Sequence, residues 1–138
     1  MGKRAAGIII KDNQILLMRR IKNGQEYFVF PGGGIEQNES TEEAVIRELK
    51  EEFDIDVKID KLAFQIENQG NEEYYFLIKE FSGIPKLSGE EKKRMNEDNQ
   101  YYPFWRSLDE VKSLSNLYPE QAKQKIEKLI ENDKIYLA

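Results

Sequence analysis

The spacing of apolar residues changes several times along this chain, and each change marks a new element. RAAGIII (4–10) and QILLMRR (14–20) read as two strands joined by the turn-forming Lys11-Asp12-Asn13. Asn23-Gly24 then separates QILLMRR from EYFVFPG, and such a pair between apolar runs predicts a hairpin. Ser40-x-x-Glu43 is a capping-box pattern that starts a helix near residue 41. In that helix Val45, Leu49 and Phe53 recur every fourth residue, with Ile46 alongside, as a core-facing stripe. Strand spacing returns after Ile55, where VKIDKLAFQIENQ and EYYFLIKEF flank Gly70-Asn71, a further hairpin candidate. Residues 82–99 are polar and aperiodic, which predicts a long loop of the kind usually kept for function. YYPFWRS reads as the last strand, and Pro103 sets it near an edge or bulge. Ser107-x-x-Glu110 opens a short helix; Pro119 opens another, with Ala122, Ile126, Leu129 and Ile130 as its stripe. The sum is an α/β fold, an α/β/α sandwich on a mixed β-sheet, in a single domain over residues 1–138.

Composition narrows the chemistry. The chain has no cysteine and no histidine, so thiolate nucleophiles, Cys-ligated zinc and the commonest general base are all excluded. Acid–base and metal chemistry falls to carboxylates, which favour hard cations such as Mg²⁺ or Mn²⁺. A net charge of −5 and a pI near 5.0 count against a nucleic-acid partner. They do not count against an anionic small molecule, because a bound cation inverts the local field. No run approaches the ~20 apolar residues of a membrane span, and the N-terminus lacks the pattern of a signal peptide. A cytoplasmic protein with no membrane partner is expected.

The stretch PGGGIEQNESTEEAVIRELKEEFDI (31–55) carries the densest chemistry. Glu48 meets Glu51 and Glu52 at the three- and four-residue spacings that bring helix side chains together. Each such like-charge pair destabilises an isolated helix by roughly 0.2–0.5 kcal/mol. A solvated Glu face is normally relieved by Lys or Arg four residues on, yet the partner of Glu48 at that spacing is Glu52. A glycine loop directly before the helix lets backbone approach a ligand or ion. Three carboxylates beside such a loop would suit a hard metal ion, whose charge cancels their repulsion.

This stretch resembles the signature of the Nudix hydrolases (MutT-like), G-x5-E-x7-R-E-U-x-E-E-x-G-U, with U a bulky aliphatic residue. Gly33, Glu39, Arg47, Glu48, Leu49, Glu51, Glu52 and Ile55 fit in order with every spacing intact. Asp54 stands where the family has glycine. That position looks like the C-cap of the helix, and Asp tolerates left-handed backbone better than most residues, so a small stability effect is expected.

The resemblance implies a Nudix-type sandwich and a hydrolase that attacks a pyrophosphate bond in a nucleoside diphosphate linked to another group, using Mg²⁺ or Mn²⁺. It implies Glu48, Glu51 and Glu52 as metal ligands, with the Gly32 carbonyl a further contact. Arg47 and Glu39 would form an ion pair that orients the helix. A general base could come from Glu90, Glu91 or Glu97 in the long loop, and a GPE…Y-x-P-x-W pattern in some relatives favours Glu91. Gly33 and Gly34 would approach the substrate. Arg19 and Arg20 end a strand whose side chains alternate, so one of them would face the substrate and could clamp a phosphate. Among Tyr27, Phe28, Phe30, Tyr74, Tyr75 and Phe76 some are expected in the core and one on a base or sugar; Trp105 is expected in the core.

The substrate class stays open among nucleoside triphosphates, nucleotide sugars, ADP-ribose and dinucleoside polyphosphates. A non-catalytic nucleotide-binding module is a rival reading, against which the intact glutamates stand. An RNA pyrophosphohydrolase is another, against which the acidic pI stands. The resemblance also leaves a homodimer open.

Overall fold

The computed structural model describes residues 2–87 and 95–132. Strands β1 (Lys3–Ile8), β2 (Ile10–Lys11), β3 (Gln14–Lys22), β4 (Gln25–Val29) and β5 (Gly32–Gly34) lead to helix α1 (Thr41–Phe53). Then come β6 (Asp56–Asn68), β7 (Asn71–Ser82), β8 (Asn99–Ser107), α2 (Leu108–Val111), β9 (Leu117–Tyr118) and α3 (Glu120–Glu131).

The turn chemistry acts as the sequence suggests. Asp12 and Asn13, then Asn23 and Gly24, take positive φ at the tips of two hairpins. Positive φ at both central residues matches the right-handed twist of the flanking strands, and Asn, Asp and Gly adopt it most readily. The third tip is Gln69-Gly70 rather than Gly70-Asn71; Asn71 already belongs to β7.

The middle layer is two mixed sheets. One runs β5-β1-β7-β6, with β1 and β7 parallel. The other centres on β3, which pairs β8 along its length and also pairs β2 and β4, with β9 parallel to β4. The chain passes from the first sheet to the second through Ile9. β8 is not the last strand: the two-residue β9 follows it and is too short to show a period in sequence. Pro103 sits in β8, which pairs β3 on one side only, so it lies on an edge strand as expected.

Alternation along the strands divides the core. Ala5, Leu16 and Met18 join Val45, Leu49 and Phe53 of α1 on one face. Ala6, Ile8, Ile15 and Leu17 join Leu108, Val111, Ala122 and Ile126 of α2 and α3 on the other. This is the expected α/β/α sandwich. Ile46 departs from the expected stripe, being 41% exposed, so α1 meets the sheets on a narrower face centred on Val45 and Leu49. Trp105 is half-buried rather than central and stacks on Phe81 with centroids 5.9 Å apart.

Caps hold both ends of α1. The Ser40 hydroxyl accepts from the Glu43 backbone N–H, and the Glu43 carboxylate accepts from the Ser40 N–H, completing the capping box. The second box is half-formed: the Ser107 hydroxyl accepts from Asp109 N–H, while the Glu110 carboxylate reaches Arg106 at 3.7 Å. Asp54 is the C-cap of α1 in left-handed geometry, with φ 56°. Its carboxylate pairs with Lys50 at 3.4 Å and Lys86 at 3.5 Å, which holds its pKa below the ordinary value.

Asp54→Gly relieves the backbone but removes two exposed ion pairs, so at low salt the melting midpoint is expected to stay within a few degrees. Salt screens the pairs that only the parent has. Melting curves in rising NaCl should therefore shift in favour of the glycine variant; a shift the other way would sink this account.

Candidate active site

Arg47 is the hub of the acidic face. Its Nε and Nη2 donate to the two Glu39 oxygens at 2.7 and 3.0 Å, a bidentate pair. Nη1 donates to Glu48 Oε1 at 2.9 Å and to Glu51 Oε2 at 3.1 Å. Nη2 also donates to the Gly34 carbonyl at 3.0 Å, which ties the guanidinium to β5. Surrounding carboxylates, Glu39 first, raise the Arg47 pKa further above its ordinary value. The same bond holds the Glu39 carboxyl below the carboxylate range, helped by the Glu36 backbone N–H. A depressed folded-state pKa stabilises the fold above the unfolded-state value. That contribution is lost as pH falls through the folded-state value.

The glycines let β5 lie against α1. A Cβ on Gly33 would stand 2.7 Å from Glu48 Oε1, and closer still to the rest of that carboxylate. A Cβ on Gly32 would strike the backbone carbonyl of Ala5. The Glu48 clash falls on the end of a flexible side chain, so Gly33→Ala is expected to fold but to displace Glu48. A fall in turnover of about tenfold, one misplaced hydrogen-bonding group, is expected with little change in melting midpoint. Full activity in that variant would show that the Glu48 position is immaterial.

Of the acids on α1, Glu52 is buried at 8% exposure and the Glu51 side chain is 54% exposed. Among the described residues no group of three acids is placed to hold a metal ion as it stands; Glu48 and Glu51 both turn onto Arg47. A guanidinium at hydrogen-bond distance is the nearest relief for their mutual repulsion. The donor set, carboxylate and backbone oxygen, still has the chemistry of a hard-cation site.

A cavity of about 430 Å³ opens between the two sheets, closed at one end by Glu120 and Gln121 of α3. Arg4 and Glu73 come from the first sheet, Arg20 from the second, and Tyr118 stands near the start of α3. Strand alternation sends Arg20 into this cavity and Arg19 away from it. Arg19 pairs with Glu26 at 2.6 Å. Arg20 lies over the rings of Tyr27 and Tyr101 at 5.4 and 4.5 Å and donates to the Tyr101 hydroxyl at 2.9 Å. Phe28, Phe30, Tyr75 and Phe76 are buried.

Glu90 and Glu91 lie outside the described residues. Glu97 is exposed in the turn between Asn96 and Asn99. Sequence reasoning did not single out Arg4, Glu73 or Tyr118. A charge at Arg4 within an apolar strand was the one available signal.

The α/β sandwich thus sets an arginine-bound acidic helix against a glycine strand, and carries between its sheets a cavity lined by Arg4, Arg20, Glu73 and Glu120. The chain belongs to the NUDIX domain family, whose model matches residues 1–129. It is 49% identical over 57 residues to an ADP-ribose pyrophosphatase of Methanocaldococcus jannaschii, covering 41% of this chain and 34% of that one. It is 36% identical over 84 residues to an 8-oxo-dGTP diphosphatase of Proteus vulgaris, covering 56% of this chain and 75% of that one. The chain thus matches about a third of the first relative's length. Its fold is similar to the solution structure of the E. coli ORF135 protein, with a TM-score of 0.74 and 25% identity over 100% of this chain and 94% of that one. No helix among the described residues is long and apolar enough to cross a membrane.

Proposed function

We propose that the chain is a divalent-metal-dependent hydrolase that cleaves a pyrophosphate bond in a small nucleotide derivative. The observation that carries this is the Arg47 hub: an arginine anchored to Glu39 and to the Gly34 carbonyl holds Glu48 and Glu51 together on α1 beside the glycine strand. Membership of the NUDIX family supports it, as do the pyrophosphatase and diphosphatase names of the two relatives. Their named substrates differ, so the acidic box alone does not choose the substrate.

Glu48, Glu51 and Glu52, with the Gly32 carbonyl, would hold Mg²⁺ or Mn²⁺. The cation supplies charge stabilisation for phosphoryl oxygens and acidifies water. Glu39 sets the Arg47 guanidinium, and Arg47 sets the spacing of Glu48 and Glu51. Gly33 and Gly34 bring backbone close to the substrate without side chains in the way. Arg20, fixed between two aromatic rings, and Arg4 across the cavity suit the anionic phosphates. Glu91 remains the proposed general base.

The test is incubation with Mg²⁺ or Mn²⁺ and a panel of nucleoside triphosphates, nucleotide sugars, ADP-ribose and dinucleoside polyphosphates. Metal-dependent release at a pyrophosphate bond is expected. Metal-dependent stabilisation without cleavage of any member would favour a nucleotide-binding module instead.

A further inference from the structure

Ile84 is 85% exposed, the most open of the large apolar side chains among the described residues. It follows β7 and does not stand alone. With Phe81, Pro85 and Trp105 it rims a cavity of about 260 Å³, whose other side is Lys11 and Asp12 at the tip of the β2–β3 hairpin. Phe81 comes from the first sheet and Trp105 from the second; both are half-buried, and their rings stack at 5.9 Å. Lys11 lies over the Phe81 ring at 5.8 Å. The place is remote from the acidic hub. Gly34 pairs with Arg4, and Arg4 with Glu73, so the hub is level with the start of β7. Phe81 stands near the other end of that strand, roughly 26 Å further on at ~3.3 Å per residue.

Size and chemistry argue against a small molecule here. Ligand sites enclose about 300–1,000 Å³ and hold a few fixed polar groups in a buried setting. This space is smaller, and its polar side chains, Lys11, Asp12 and Gln14, are all exposed. Single exposed apolar residues need no explanation, but several grouped around a hollow mark a protein contact. The group is also complementary to itself. It carries a protruding apolar side chain, Ile84, and a hollow beside it. It carries one cation, Lys11, next to one anion, Asp12, and among the described residues neither forms an ion pair. A two-fold axis brings a patch against its own copy, so each feature has to meet its complement within the same patch. Ile84 of each copy then enters the hollow of the other, beside Phe81 and Trp105, and Lys11 of each copy faces Asp12 of the other.

We propose that this patch is a dimer interface, with a second copy of the same chain as its partner. The pairing leaves both acidic hubs uncovered and does not depend on the hydrolase reading. A patch of this extent belongs with weak, reversible interfaces, so the dimer is expected to prevail at roughly 500 µM and to dissociate by roughly 5 µM. Sedimentation velocity across that range tests it. Trp105 is the chain's one tryptophan, so its emission reports on the patch itself. On dilution the emission should shift to the red and iodide quenching should rise, in step with the fall in sedimentation coefficient.

Ile84→Glu is the decisive variant. The side chain is exposed, so the fold should be unchanged, and melting curves at low concentration check that. An isologous interface feels each substitution twice, so the loss of two buried isoleucines should weaken dimerisation at least about a hundredfold. Lys11→Glu puts like charges face to face and should weaken it by about tenfold. Salt should then act with opposite signs, loosening the parent dimer and tightening that of Lys11→Glu. A monomer at every concentration overturns the proposal, and Trp105 already shielded from iodide in that monomer would place the cover of the patch within the chain. A dimer undiminished in folded Ile84→Glu overturns it too, since the two copies would then meet on another face.

Discussion

Glu52→Gln is expected to lower pyrophosphate cleavage by roughly 10²–10³-fold, the scale for removing one group that stabilises transition-state charge. The melting midpoint should move by only a few degrees. Glu52 lies between Leu49 and Phe53 at the buried edge of α1, so the near-isosteric amide keeps the packing. The loss should fall on the metal. In the parent, Mg²⁺ is expected to raise the melting midpoint by mass action, and in the variant that increment should shrink. Glu51→Gln is the graded control: its side chain is 54% exposed and held by Arg47, so a smaller loss is expected. The measurement is kcat and KM at fixed Mg²⁺, with melting curves across a Mg²⁺ series. Full turnover in Glu52→Gln, or an undiminished Mg²⁺ increment, would remove Glu52 from the site.

How much of this was legible in the sequence depends on how local each signal is. Hairpin tips and the α1 caps are set by residues a few positions apart, so Asn23-Gly24, Ser40-x-x-Glu43 and the left-handed Asp54 could be read directly. The Gln69-Gly70 tip was displaced by one residue because Asn71 and Gly70 are both turn formers and only strand register decides between them. Of the acidic hub, the Arg47–Glu39 pair was expected from the family resemblance, whereas the bonds from Arg47 to Glu48 and Glu51 were not. The cavity was not legible. Arg4, Arg20, Glu73 and Tyr118 come from β1, β3, β7 and β9, and only strand order brings them together. Glu73 was hidden further by its neighbours, because Glu72 and Glu73 in a strand read as solvated charge. Alternation sends Glu72 out to Lys3 and Glu73 inward.

Arg47→Ala is expected to damage both fold and turnover. Removing the guanidinium leaves Glu39, Glu48 and Glu51 without the cation that separates them. Breaking a fully buried ion pair by removing one partner costs about 3–5 kcal/mol; the Arg47 side chain is 21% exposed, so roughly 2–3 kcal/mol is expected here. That corresponds to a fall in melting midpoint on the order of 10 °C. The Gly34 carbonyl also loses its donor, which frees β5 from α1 at the point where substrate would approach. Turnover should drop at least as far as in Glu52→Gln, because two proposed metal ligands lose their position together. Arg47→Lys should recover little. An ammonium can neutralise charge but cannot serve Glu39, Glu48, Glu51 and a backbone carbonyl from one rigid plane. Glu39→Gln separates positioning from neutralisation, since it loosens Arg47 while leaving its charge in place; an intermediate loss of kcat with little change in KM is expected. Melting curves and steady-state kinetics on the three variants decide it. An Arg47→Lys protein with parental kcat and stability would show that Arg47 contributes charge alone and that the fork geometry does not matter.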